Sequence, residues 1–161
     1  MVVLDIPQTW TFVAYVRDSV AEYLPDSLDQ EVRDAAVMVA SELTENTIKF
    51  GCPPNSVSGE HVVDQDDRAL IDVDYTEDCI TIVATTTASM GNLDRLKHII
   101  DELENTENTE TIYLNRLQEI METPSQTSSQ LGLIRIVHEA HFALRYDIDV
   151  HKLKLTATRQ L

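Results

Sequence analysis

The stretch Ser41-Glu42-Leu43-Thr44-Glu45-Asn46-Thr47-Ile48-Lys49-Phe50-Gly51 closes the longest helical pattern in the chain, over residues 28–50. That pattern carries an apolar stripe at Val32, Ala35, Ala36, Val39 and Leu43. Followed at helical spacing from Ala35 and Val39, the stripe next reaches Glu42 and Asn46. Residues four apart stand above one another on the same helix face. A carboxylate and a carboxamide are thereby aimed at the interior. Burying even the amide without partners costs on the order of 2–7 kcal/mol. Either the two groups are satisfied within the fold, or they line a pocket in which a ligand satisfies them.

The elements around this helix define the fold class. Residues 2–6 alternate and form a first strand, ended by Pro7. Phe12, Val13, Val16, Val20 and Leu24 recur at helical spacing, with Thr9 as a candidate cap and Pro25 beyond the end. Ser27-Leu28-Asp29-Gln30 has the form of a capping box at the start of the long helix. Gly51-Cys52-Pro53-Pro54 stops that helix, and a polar connection follows to about residue 68. Leu70, Ile71, Val73 and Tyr75, a Thr-Glu-Asp turn, and then Ile80, Ile82 and Val83 predict a hairpin. Its second strand runs on through Thr85-Thr86-Thr87-Ala88-Ser89 into a loop broken at Gly91-Asn92.

Two helical patterns come next, over 92–104 and 110–122, separated by a polar joint from Asn105 to Asn108. After a small-polar loop at 124–129, an apolar helix is predicted over 131–141. Residues 142–148 and 153–157 alternate at period two and predict a closing antiparallel hairpin. The expected class is α+β: a two-layer α/β sandwich whose mostly antiparallel sheet is covered on one face by helices. The chain of 161 residues reads as a single domain over 1–161, with a helical insertion at about 91–130 in the position of a lid.

Charge and composition exclude some functions. A formal charge of −16 argues against nucleic acid as a partner, since phosphate neutralisation needs a basic patch. The acidic surface suits solubility or a salty medium, and it would also suit a basic protein partner. No apolar run approaches the ~20 residues of a membrane span. The first residues have neither a basic region nor a secretory apolar core, so a cytoplasmic location is expected. Cys52 and Cys79 have no metal or disulfide spacing and read as free thiols. His138-Glu139-Ala140-His141 sets its histidines three apart, whereas the zinc-protease helix needs four, so packing or surface roles are expected. Tyr113, Leu117 and Ile120 read as packing residues of the insertion, and Trp10 as core or interface.

The long-helix segment and the element order resemble the histidine-kinase-like ATPases of the GHKL type, with the Bergerat fold. Within them they resemble the bacterial anti-sigma-factor serine kinases of the RsbW type. Ser41, Glu42, Asn46 and Gly51 match the Ser-Glu-x-x-x-Asn-x-x-x-x-Gly segment of that family in identity and spacing. Gln130-Leu131-Gly132-Leu133 matches its Gly-x-Gly-Leu box in part, with Gln130 in place of the first glycine. The family's Asp-x-Gly-x-Gly box, which recognises adenine, is absent: Thr85-Thr86-Thr87 stands there, leaving Thr86 or Ser89 to offer a hydroxyl. In its second half the chain resembles the divergent SiaB-like kinases, which phosphorylate a small partner protein in a signalling switch. Gly91-Asn92-Leu93 and the run Ser128-Ser129-Gln130-Leu131-Gly132-Leu133-Ile134-Arg135-Ile136 carry that likeness.

The resemblance implies ATP and Mg²⁺ as ligands. It implies Asn46 as the metal-binding amide, Glu42 as the catalytic base, and Thr86, Gly132 and Leu133 around the nucleotide. The implied activity is a serine/threonine kinase in a partner-switching module, acting on a small regulatory protein. Loss of the Asp-x-Gly-x-Gly box favours a second reading, a catalytically inactive module of the same fold that sequesters its partner. A homodimer built through the N-terminal helix is a third.

Overall fold

Five strands alternate buried and open residues, so that one face of a single sheet carries the core. They are β1 (Val2–Pro7), β2 (Arg68–Tyr75), β3 (Cys79–Thr87), β4 (Ala143–Asp149) and β5 (Lys152–Gln160). The computed structural model describes residues 1–50, 68–88, 90–106, 108–122, 131–149 and 152–161. The strand order is β1-β2-β3-β5-β4, and every pairing is antiparallel. Register places Ile71 opposite Leu4 and Ala84, and Leu155 opposite Ala84 and Tyr146. Leu4, Ile71, Ala84 and Leu155 therefore form one buried row across four strands, continued by the half-buried Tyr146.

The helices are α1 (Thr11–Tyr23), α2 (Gln30–Phe50), α3 (Met90–Glu104), α4 (Thr109–Glu122) and α5 (Leu131–His138). α1 packs on β1 and on α2, and α2 lies over β2 and β3. α3 and α5 rest against β4. The result is the expected two-layer α+β sandwich with a mostly antiparallel sheet, here antiparallel throughout. Val16, Val20, Val39, Leu43, Ile82, Leu96, Ile100, Ile134 and Ile136 are fully buried between the layers. Each such side chain stabilises the fold by about 1.5–3 kcal/mol relative to exposure.

Several local expectations need correction. Ser27 does not cap the long helix; Asp29 does, its Oδ1 accepting the N–H groups of Glu31 at 2.9 Å and Val32 at 3.4 Å. The helix therefore starts at Gln30, because a carboxylate two residues later in the chain reaches the free N–H groups directly. Thr9 does not cap α1 with its side chain: its hydroxyl meets that of Thr11 at 3.0 Å, and Trp10 occupies the cap position without a side-chain bond. Trp10 is exposed, with the Lys49 ammonium 5.6 Å from its ring centroid, so it is no core residue. α5 stops at His138 rather than 141. His141 takes a left-handed φ of 58°, and the Phe142 N–H turns back onto the Ile136 carbonyl at 3.1 Å.

The joint between α3 and α4 is closed by its own side chains. Asn105 Nδ2 donates to the Asp101 carbonyl at 2.6 Å, and Asn108 Oδ1 accepts the Thr111 N–H at 3.1 Å as the cap of α4. The connection at 51–67, the small-polar loop, Ser89, Gln130, Gly51 and Cys52 lie outside the described residues.

Candidate functional site

The C-terminal half of α2 is unusually polar for a buried helix, and its hydroxyls explain how. Thr44 Oγ1 donates to the Ala40 carbonyl at 2.7 Å, and Thr47 Oγ1 to the Thr44 carbonyl at 2.7 Å. These bonds satisfy two buried hydroxyls within the helix itself. Glu42 and Asn46 are not disposed of so simply. Both are buried, at 9% and 1% exposure, on the face where the stripe places them.

Asn46 Nδ2 donates to the Glu42 carbonyl at 2.8 Å, which fixes the amide and turns Oδ1 the other way. Asn46 Oδ1 is buried and has no hydrogen-bond partner among the described residues. An orphaned buried acceptor costs roughly 1–3 kcal/mol and calls for an explanation. The Glu42 carboxylate reaches across to α5. Its Oε1 receives Arg135 Nη1 at 2.7 Å, a contact between residues 93 apart in sequence. Its Oε2 lies against Gly132, where a Cβ would stand closer than a side chain tolerates and 3.8 Å from Asn46 Nδ2. Glycine is required there for close approach, not for a special backbone angle.

Electrostatics at the site are set by burial. Desolvation pushes the Glu42 carboxyl above its ordinary value of 4.5, and the Arg135 guanidinium opposes this without cancelling it. Arg135 is also tied through Nε to Glu139 Oε2 at 3.0 Å, and Glu139 Oε1 accepts the Tyr113 hydroxyl at 2.7 Å. Burial alone would lift Glu139, but Tyr113 and Arg135 outweigh it and hold its carboxyl below the usual range.

The structure thus brings Glu42, Asn46 and Gly132 together and leaves two expected residues with other duties. Leu133 is fully buried in the core, so only its backbone could face a ligand. Thr86 is buried on β3, where its hydroxyl accepts Gln8 Nε2 at 2.6 Å and lies 3.4 Å from the Thr87 carbonyl. One of the two lone pairs of that hydroxyl is taken by a side chain from beyond the end of β1, which leaves a single acceptor site for a ligand.

Arg135, Glu139, Tyr113 and Gln8 were not singled out as site residues from the sequence. Arg135 had a readable signal: it is the basic residue of an otherwise apolar turn, three residues after Gly132 and hence on the same face of α5. His138 packs its ring on Tyr113 at 4.9 Å, and His141 is exposed, in line with packing and surface roles.

Among the described residues no three His, Cys, Asp or Glu side chains converge as a metal cluster. Within the Glu42–Asn46–Gly132 cluster the oxygen that fits a hard cation is Asn46 Oδ1, an uncommitted amide oxygen. Magnesium takes oxygen ligands and keeps waters and substrate phosphates in its shell, so a single protein oxygen is a compatible anchor. A separate open groove of about 630 Å³ lies between the end of α3, α5 and the start of β4, lined by Leu103, Asn105, Val137 and Arg145 among others. None of the site residues expected from the sequence lines it. Among the described residues no helix is long and apolar enough to cross a membrane.

No protein-family model matches the chain, and no curated protein matches it by sequence. Among solved structures it is similar to a chain of the SiaB–SiaC complex from Pseudomonas aeruginosa. The match has a TM-score of 0.68, covers 100% of this chain and 90% of that chain, and has 13% identity. At that identity the likeness is one of fold.

Proposed function

We propose that this chain is the protein kinase of a cytoplasmic partner-switching module. In this reading it binds a small regulatory protein and, at Glu42, Asn46 and Gly132, a magnesium–nucleotide complex of the GHKL type. The observation that carries the reading is the unpartnered, buried Oδ1 of Asn46, set one turn from a buried carboxylate that packs against Gly132. The fold shared with a chain of the SiaB–SiaC complex, itself an assembly of two proteins, supports a protein partner.

In this reading Asn46 Oδ1 would hold Mg²⁺, which supplies charge neutralisation on the transferring phosphoryl group. The N–H groups that open α5 at Leu131 and Gly132 would meet the phosphates. Glu42 would orient the partner's serine or threonine hydroxyl and take its proton as the oxygen attacks phosphorus and ADP leaves. A buried carboxyl with a raised pKa is a stronger base than an exposed one, which suits that task.

A second reading is favoured by two contacts. Arg135 already occupies Glu42, and Gln8 already occupies Thr86. With the Asp-x-Gly-x-Gly box also missing, the same fold would serve as a non-catalytic module that sequesters its partner. Incubation with labelled ATP, Mg²⁺ and a co-encoded small protein separates the two. The kinase reading expects label on the partner, lost in Glu42→Ala. Stable complex formation with no transferred label would establish the sequestering module instead.

A further inference from the structure

α4 is fastened to the rest of the fold in an unusual way. It buries no residue fully among those described, although it packs along α5. Beside the apolar packing of Ile112 and Tyr113 against the core, three side-chain contacts among the described residues join it to α5 and the residue that follows. The Tyr113 hydroxyl donates to Glu139 Oε1 at 2.7 Å, the Tyr113 ring lies on His138, and the Thr109 hydroxyl meets His138 Nδ1 at 3.2 Å. Glu139, at the end of α5, passes this attachment on. Its second oxygen receives Arg135 Nε at 3.0 Å, and Arg135 Nη1 continues to Glu42 at 2.7 Å.

A guanidinium is a rigid planar fork, so the direction of its Nε bond constrains the direction of its Nη1 bond. Arg135 cannot shift towards or away from Glu139 without changing its grip on Glu42. The intermediate position of Arg135, 36% exposed against 12% for the Glu42 side chain, makes it the link between surface and interior. Hydrogen bonds in such a chain also polarise one another, so the ends are coupled beyond pairwise contact.

We propose that Arg135 is a positioning residue for Glu42, and that α4 sets its aim through Tyr113 and Glu139. The role of Glu42 in transfer rests on the function proposed above; the mechanical linkage does not. A displacement of α4, such as a bound protein would impose, is transmitted to the carboxylate of the site without any change in the sheet.

Tyr113→Phe removes the hydroxyl and keeps the ring on His138, so it tests the linkage with the least disturbance. The first readout is the side-chain Nε–H NMR signal of Arg135 in the nucleotide-free protein. The linkage expects this signal to move in Tyr113→Phe and in Glu42→Gln. The second is a double-mutant cycle on the unfolding equilibrium constant, in which the effect of Glu42→Gln should change by more than about threefold when Tyr113 is Phe. Arg135→Lys, which lacks the planar fork that ties the direction of one bond to the other, should weaken that coupling. An unmoved Arg135 signal in Tyr113→Phe, with the two substitutions combining to within about twofold, overturns the proposal. In a transfer assay, Tyr113→Phe should lower the rate and leave the nucleotide dissociation constant unchanged. Absence of nucleotide binding in the wild type would defeat the kinase reading and leave the two structural readouts to decide the linkage by themselves.

Discussion

The carboxylate of Glu42 fills the place where a side chain on Gly132 would begin, joining residues from two helices that are remote in sequence. α2 supplies the charge and α5 supplies the gap. Neither residue can change without the other registering it.

Gly132→Ala should therefore turn the Glu42 carboxylate aside and strain its bond to Arg135, a cost that offsets the roughly 1 kcal/mol that alanine gains over glycine inside a helix. In a Glu42→Ala background the cost should largely vanish, because the nearest remaining atom, Asn46 Nδ2, sits at an ordinary 3.8 Å from the added Cβ. Denaturant unfolding of the four proteins in this cycle checks the claim. Equal costs in both backgrounds would place the carboxylate elsewhere.

The pH dependence of stability should carry the mark of Glu42. Its folded pKa is raised above the ordinary 4.5, so the folded state binds its proton more tightly than the unfolded state does. The stability this provides is complete below about 4.5 and is lost as pH rises through the raised folded value. Glu139, with a lowered pKa, has the opposite sign: its contribution is present above the ordinary carboxylate value and lost as pH falls through its folded one. Stability of wild type minus Glu42→Gln should fall with rising pH and then level off. The corresponding difference for Glu139→Gln should rise with pH. Unfolding curves collected from about pH 2 to about pH 8 span both windows, below 4.5 for Glu139 and above 4.5 for Glu42, and test both signs at once.

The start of α2 offers a test of the backbone. Asp29→Ala removes the cap that holds two N–H groups and should cost about 1 kcal/mol. Ser27→Ala touches no such bond and should stay within about 0.5 kcal/mol of wild type. Thermal or denaturant midpoints of the two variants decide between Asp29 and Ser27 as the cap.

That cap shows what the sequence could and could not convey. Ser27-Leu28-Asp29-Gln30 satisfies the capping-box pattern, yet Asp29 within it competes for the same N–H groups, and only backbone geometry decides between them. Apolar periodicity located the five helices and five strands seen among the described residues, because the register of a half-buried sheet is set by which residues face the core. The same periodicity located Glu42 and Asn46 on the inner face of α2. Gly132 was found through a resemblance, and its contact with Glu42 depends on how α5 crosses α2, which no local pattern encodes. Arg135 and Glu139 are four apart and readable as a helical pair, but the links to Tyr113, 26 residues away, and to Glu42, 93 residues away, could not be read from spacing. The resemblance implies Thr86 as a nucleotide contact because it stands where the family's adenine-recognising box would be. Gln8, beyond the end of β1, reaches it first.

The central claim concerns Asn46, and titration calorimetry of ATP with Mg²⁺ tests it most directly. The wild type should bind, and at a ligand concentration 100 times the dissociation constant it should gain about 2.7 kcal/mol of stability. Asn46→Ala, folded by circular dichroism, should bind at least about tenfold more weakly, a loss of about 1.4 kcal/mol, and chelation of Mg²⁺ should reproduce that loss in the wild type. A wild type that gives no binding heat, or an Asn46→Ala variant that binds as tightly as the wild type, would contradict the account.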